Sequence, residues 1–171
     1  YQLTSEQRIL ALWREVAERC EYQRDQDHVS ETREVWKGPR ETWADKAGDC
    51  EDTSILLADV LISAGFDARV AIGWNGNVGQ HAWVVVQTSD RQYVMESTLQ
   101  GEITEGCLKD VTVASAFYKP EQLFDRERMY FTTARPQDFN NDYFSPKVWR
   151  HIPVASGPAA TPANGAKLSL R

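Results

Sequence analysis

The stretch from Cys50 to Ala64 constrains this chain more than any other. Ile55, Leu56, Leu57, Ala58, Val60, Leu61, Ile62 and Ala64 put apolar side chains on almost every side of a helix, and such a helix is stable only where other elements cover it. Its ends are marked: Gly48 breaks the chain, Asp49 can cap the first turn, and Gly65 can supply a left-handed stop. With 171 residues, 42% of them hydrophobic and 11% aromatic, the chain has enough apolar volume for one core around that helix.

The coverings are legible on both sides. Thr4 and Gln7 make a capping box, and Ile9, Leu12, Trp13, Val16 and Cys20 follow at three- and four-residue steps, which predicts an amphipathic helix over 5–20. Residues 21–38 read as a charged loop anchored by Tyr22 and Trp36, and Pro39 opens a short helix reaching about Lys46. Downstream, 68–74, 81–87 and 92–97 are strand-like, rich in Val, Tyr and Trp, and separated by turn sets, which predicts an antiparallel meander. A mixed region spans 102–119, a further strand is expected over 128–133, and 135–154 reads as irregular chain that its Phe139, Tyr143, Phe144 and Trp149 fold back over the domain. From Ala155 the composition turns to Ala, Gly, Pro, Ser and Thr, too poor in large apolar groups to offset chain entropy. The expected organisation is a domain over 1–154 and a flexible linker or tail over 155–171.

Charge and cysteine content exclude several functions. A net charge of -6 argues against nucleic acid or an anionic membrane surface as partner, since both require a surplus of Lys and Arg. Cys20, Cys50 and Cys107 are too far apart for a metal knuckle and allow at most one disulfide, with Cys50 expected to be the free thiol. No apolar run approaches the roughly 20 residues of a transmembrane helix; the longest, 55–64, contains Asp59. A start at Tyr1 without methionine suggests a piece of a larger parent protein, so the compartment stays open between cytoplasmic and extracytoplasmic.

Three segments carry chemistry. Cys50 stands on the first turn of the buried helix, where unpaired amides and the helix dipole favour a thiolate. Asp49, Glu51 and Asp52 push its pKa the other way, so a positive partner is needed. His81, opening a strand after Gly79 and Gln80, is placed at a rim where it can act as base, and Glu96 near the end of the next strand can orient it. The backbone amide of Cys50 is one oxyanion donor; the indole of Trp43 or Trp36 is a candidate for the second, and Gln80 and Trp83 are candidates for the cleft lining. Singly, each residue also fits a plain structural role: a core thiol, a hydrogen-bonded strand histidine, a solvated glutamate.

The run from Trp43 to Asp52 with its Gly48-Asp49-Cys50-Glu51-Asp52 core, the helix end at 64–69, Gln80-His81-Ala82-Trp83-Val84 and Val94-Met95-Glu96-Ser97-Thr98 together resemble the transglutaminase-like superfamily, over roughly residues 5–100. The resemblance implies an α+β fold of the papain and transglutaminase core, with a central buried helix carrying the nucleophile against an antiparallel sheet. It also implies a triad at Cys50, His81 and Glu96, and a thioester formed from a peptide or carboxamide bond. Where the family more often has Asp-Pro-Thr, this chain has Glu96-Ser97-Thr98. Bacterial-looking members of this kind are peptidases or amidases, which makes a cysteine hydrolase acting on a peptide or protein substrate the expected function. Transamidation shares its first step, and a noncatalytic module holding a peptide or glycan with Trp36, Trp43, Trp74 and Trp83 is the alternative from another class. One bacterial branch uses calcium beside the cysteine, for which Asp49, Glu51 and Asp52 offer oxygen ligands. A helix start stabilised by acidic side chains is the simpler reading, so no cofactor is expected. Asp25, Asp27 and His28 lack regular ligand spacing and read as a solvated loop.

Overall fold

A computed structural model of the chain describes residues 2–23, 36–135 and 141–153; Asp25, Asp27, His28, Phe139 and the expected tail lie outside them. Helix α1 (Ser5–Arg19) begins with the anticipated capping box, Gln7 N–H donating to Thr4 Oγ1 at 3.2 Å and Thr4 N–H to Gln7 Oε1 at 3.0 Å. It buries Ile9, Leu10, Trp13 and Val16. A two-residue strand β1 (Glu21–Tyr22) pairs in parallel with β2 (Ala47–Gly48), which follows helix α2 (Pro39–Asp45). Helix α3 (Cys50–Ser63) is central: β3 (Asp67–Asn75) and β4 (Gly79–Gln87) pack on one side of it, α1 and α2 on others. Leu57 and Leu61 are fully buried, and burying each contributes roughly 1.5–3 kcal/mol, so packing more than helix propensity holds α3.

Two expectations need correction here. The cover on α3 is incomplete, because Ile55, Val60, Ile62 and Ala64 are half-buried and Asp59 on the open side binds Arg126 Nε at 2.5 Å, with Ser63 Oγ accepting from the same guanidinium. Tyr22 and Trp36 are exposed rather than buried anchors, and Trp36 stacks on Phe124 with ring centroids 5.7 Å apart.

The sheet has seven strands, the remainder being β5 (Gln92–Met95), β6 (Lys109–Asp110), β7 (Tyr118–Phe124), β8 (Arg128–Thr132) and β9 (Trp149–Pro153), in the order β6-β5-β4-β3-β7-β8-β9. All neighbouring pairs are antiparallel. The predicted meander is β3-β4-β5, and the mixed region resolves into a 3-10 turn (Glu105–Cys107), β6 and a single-turn helix α4 (Val111–Ala114). Alternation along β4 sends Ala82, Val84 and Val86 into the core beneath the helices and Trp83 and Val85 into a second core on the other face. That second core is closed by Tyr143 and Trp149, so the segment read as irregular does fold back over the domain, ending in β9.

Strand β7 was hidden in sequence by Pro120, which cannot donate to a ladder. The structure accommodates it at a bulge, where the pairing jumps from Ile72↔Gln122 to Gly73↔Pro120. Gly73 is what lets the strands approach: a Cβ there would lie 2.2 Å from the Lys119 carbonyl oxygen and 2.9 Å from the Glu121 nitrogen. Because both obstacles are backbone, Gly73→Ala should cost about 1–3 kcal/mol and lower Tm by roughly 2–12 °C in a thermal melt; an unchanged Tm would show that the bulge is compliant.

Candidate active site

Strand β5 ends at Met95, and its ladder with β4 starts only at Val84↔Met95. The backbone of β4 before Val84 is therefore not paired on that side, and the Ala82 amide there pulls down the pKa of Cys50 on the first turn of α3. Glu96, one residue past the end of β5, meets His81 from the same gap: His81 Nε2 is 3.0 Å from Glu96 Oε1 and 2.9 Å from Oε2.

Glu96 is well supplied with donors. Thr98 Oγ1 donates to Oε1 at 2.8 Å, and Tyr118 Oη donates to Oε2 at 3.1 Å. Burial pushes this carboxyl up, but the hydrogen bonds and charge of His81 and the hydrogen bonds of Thr98 outweigh it and hold Glu96 below the usual carboxylate range. An ionised carboxylate only accepts, so Nε2 carries the imidazole proton facing it, and Nδ1 is the ring nitrogen left for proton transfer.

The thiol departs from the expectation of an activated nucleophile. Burial, then the hydrogen bond to Glu51, push Cys50 up to about 12, against the pull of the Ala82 amide. The contact is short, Cys50 Sγ donating to Glu51 Oε2 at 2.8 Å, and the charges of Glu51 and Asp49 add to the shift. The favourable helix start is outweighed. Cys20, Cys50 and Cys107 are all free thiols.

The acidic run at the helix start has structural occupations. Asp49 is the N-cap, accepting from Asp52 N–H at 3.4 Å. Asp52 is 1% exposed and holds the incoming chain by accepting from Lys37 N–H at 2.7 Å, with Lys37 Nζ 4.0 Å from its other oxygen. Burial and the charge of Asp49 raise its pKa against the Lys37 amide and charge. Gly48 is required beside it, since a Cβ there would come within 2.5 Å of Asp52 Cβ. Among the described residues no three His, Cys, Asp or Glu side chains are grouped so as to hold a metal ion.

The remaining candidates divide. Gln80 is exposed at the rim, paired across β3 with Trp74, itself 51% exposed. Trp83 is not a cleft residue: it is fully buried one repeat inward from His81, its ring 6.4 Å from the imidazole and edge-on to Tyr118 at 5.0 Å. Trp43 is half-buried under the Arg19 guanidinium, 4.0 Å from its ring centroid, and Trp36 lies on Phe124, contacts that engage the ring faces of both indoles.

Sequence reading missed a buried hydroxyl chain that ties the nucleophile helix to the Glu96 segment. Thr53 Oγ1 donates to the Asp49 carbonyl at 2.7 Å; Ser97 Oγ lies 2.9 Å from Thr53 Oγ1 and 2.8 Å from Ser54 Oγ. With one proton per hydroxyl, the consistent direction is Ser54 to Ser97 to Thr53 to the backbone. Three small polar residues beside the two motifs were the available signal.

The search for curated relatives found no match. In fold, the chain superposes on Legionella pneumophila LapG with a TM-score of 0.57 at 18% identity, over 72% of this chain and 65% of that one, so it spans slightly less than two thirds of that protein's length. Calcium-bound LapG gives 0.55 at 18% identity, covering 79% of this chain and 83% of that one, and the EGTA-treated form 0.57 at 16%, covering 78% and 73%. These likenesses agree in fold with the α+β, transglutaminase-like architecture anticipated from the motifs. Residues 34–151, more than half of the chain and including Cys50, His81 and Glu96, match the family described as the CEP76 peptidase-like domain, and the chain belongs to that family.

Proposed function

We propose that this domain, comprising residues 1–154 with the remainder a tail, is a cysteine-dependent hydrolase of peptide or carboxamide bonds. The observation that carries the reading is the engagement of His81 Nε2 by both oxygens of Glu96, with Cys50 on the first turn of α3 under the pull of the Ala82 amide that follows His81 in β4. In this mechanism the Cys50 sulfur attacks the carbonyl carbon while its proton passes to His81 Nδ1. The Cys50 backbone N–H, lacking an intrahelical partner at the helix start, donates to the oxyanion. Collapse breaks the C–N bond, the leaving nitrogen takes the proton from His81, and a thioester remains on Cys50. Water, deprotonated by His81, then attacks the thioester and the C–S bond breaks to release the acid. An amine in place of water would give transamidation instead.

Cys50→Ala should reduce hydrolysis of a fluorogenic unfolded-protein substrate to background, and His81→Ala should reduce it at least ~10²-fold with the fold retained by circular dichroism. Equal rates for wild type and Cys50→Ala would sink the reading in favour of a noncatalytic module. Incorporation of a labelled primary amine into a glutamine peptide separates transamidase from hydrolase.

Two observations favour the noncatalytic alternative: the Cys50 thiol donates to Glu51, and among the described residues Cys50 and His81 are not hydrogen-bonded to each other. The first is open to test. Thiolate falls tenfold for each unit that pKa exceeds pH, so a thiol at about 12 reacts slowly at neutral pH. Glu51→Gln removes the negative charge and replaces the carboxylate acceptor of the thiol proton by a weaker amide oxygen. The alkylation midpoint should then move to lower pH, and the iodoacetamide rate at Cys50 at pH 8 should rise roughly tenfold, read by peptide mass spectrometry against Cys20 and Cys107. An unmoved profile would assign the shift to burial alone.

Calcium is carried by one LapG structure, but the mechanism here runs on side chains of this chain without it, because Asp52 is committed to Lys37 and Glu51 to Cys50. Melting temperature and hydrolysis should be unchanged between EGTA and millimolar calcium; a rise of several degrees with calcium would overturn this assignment.

A further inference from the structure

The geometry points to Tyr118 as the positioning residue that clamps Glu96 against His81, a role resting on the Cys50–His81–Glu96 reading above. A glutamate has three side-chain torsions to restrain, and Nε2 of His81 touches both of its oxygens at nearly equal distance, so contact with the imidazole alone leaves the carboxylate free to roll. Two clamps oppose that roll. Thr98, two residues on in the same segment, holds Oε1, and Tyr118, arriving from β7 on the far side of β3, holds Oε2.

The tyrosine donates its phenol proton to Glu96 Oε2. Asn77 N–H donates to Asn75 Oδ1 at 2.8 Å, which leaves the Asn75 amide nitrogen as the end free to donate. Asn75 is 5% exposed, and its side chain pulls the phenol pKa down. Burial first, then the Glu96 charge and hydrogen bond, push the phenol above its ordinary range, so Tyr118 stays a donor. The ring stands edge-on against buried Trp83, whose other neighbour is the His81 imidazole. Among the described residues, His81 and Tyr118 are the titratable groups hydrogen-bonded to Glu96.

Tyr118→Phe keeps the ring on Trp83 and removes only the hydroxyl. Losing a donor to an anion raises its pKa, so the Glu96 carboxyl, followed by 13C NMR and assigned by its loss in Glu96→Gln, should titrate at higher pH than in wild type. Turnover should drop roughly tenfold in kcat with KM within twofold. Asn75→Ala should shift the Glu96 titration in the same direction by less. An unmoved Glu96 titration overturns the clamp whatever happens to kcat, since a tyrosine that only packs would change Tm and not this carboxyl. A moved titration with unchanged kcat overturns the positioning role. The NMR arm decides the Glu96 contact even if the wild-type chain proves to have no hydrolase activity, so failure of this inference and failure of the proposed function are separate results.

Discussion

Helix α3 lies in the middle of the domain with most of the polar groups at its first turn hydrogen-bonded from several directions, Asp52 Oδ2 being buried with only Lys37 Nζ among the described residues, at 4.0 Å, facing it. Asp49 caps it, Thr53 bonds back to the Asp49 carbonyl, Ser97 bridges Thr53 and Ser54, and the buried carboxylate of Asp52 draws the Lys37 backbone onto it. An unsatisfied buried polar group costs about 1–3 kcal/mol, so removing one link of this set would leave others stranded. The same bonds tie the helix carrying Cys50 to the segment carrying Glu96. Stability of the helix start and geometry of the site are one constraint.

The sheet adds the second half of that geometry by stopping short. Were β5 to continue past Met95, a ladder would form beside Ala82, and its amide would be occupied. Because it ends, the edge of β4 is open before Val84, and Glu96, just past Met95, meets His81 there. The bulge at Gly73 and Pro120 keeps β7 close on the opposite side of β3, which brings Tyr118 within reach of Glu96. A proline that obscured the strand in sequence thus stands where the strand bends toward the site.

Electrostatics at Cys50 show a site balanced away from spontaneous reactivity. The helix start and the Ala82 amide favour thiolate, but burial, Glu51 and Asp49 favour thiol and prevail. On the proposed mechanism, a thiol held protonated at rest depends on proton transfer at the moment of attack, which would place the burden on His81 and on whatever fixes its orientation.

Much of this was legible in one dimension. The glycine-broken, Asp-capped apolar run determined a buried helix with Cys50 on its first turn, because apolar periodicity and capping are local properties; the capping box of α1 and the β3-β4-β5 meander followed from the same kind of signal. The burial of Trp83, the partners of Trp36 and Trp43, the pairing of β7 beside β3, the Ser97 bridge and the Tyr118 contact were not legible, because each depends on which strands pair and in what register, and pairing is decided by contacts distant in sequence. The sequence determined that a cysteine, a histidine and a glutamate stand at element ends. Only the tertiary structure decided that Glu96 faces His81 and that burial, with Glu51, holds the Cys50 thiol protonated, since hydrogen-bond distance and desolvation exist only once the chain is packed.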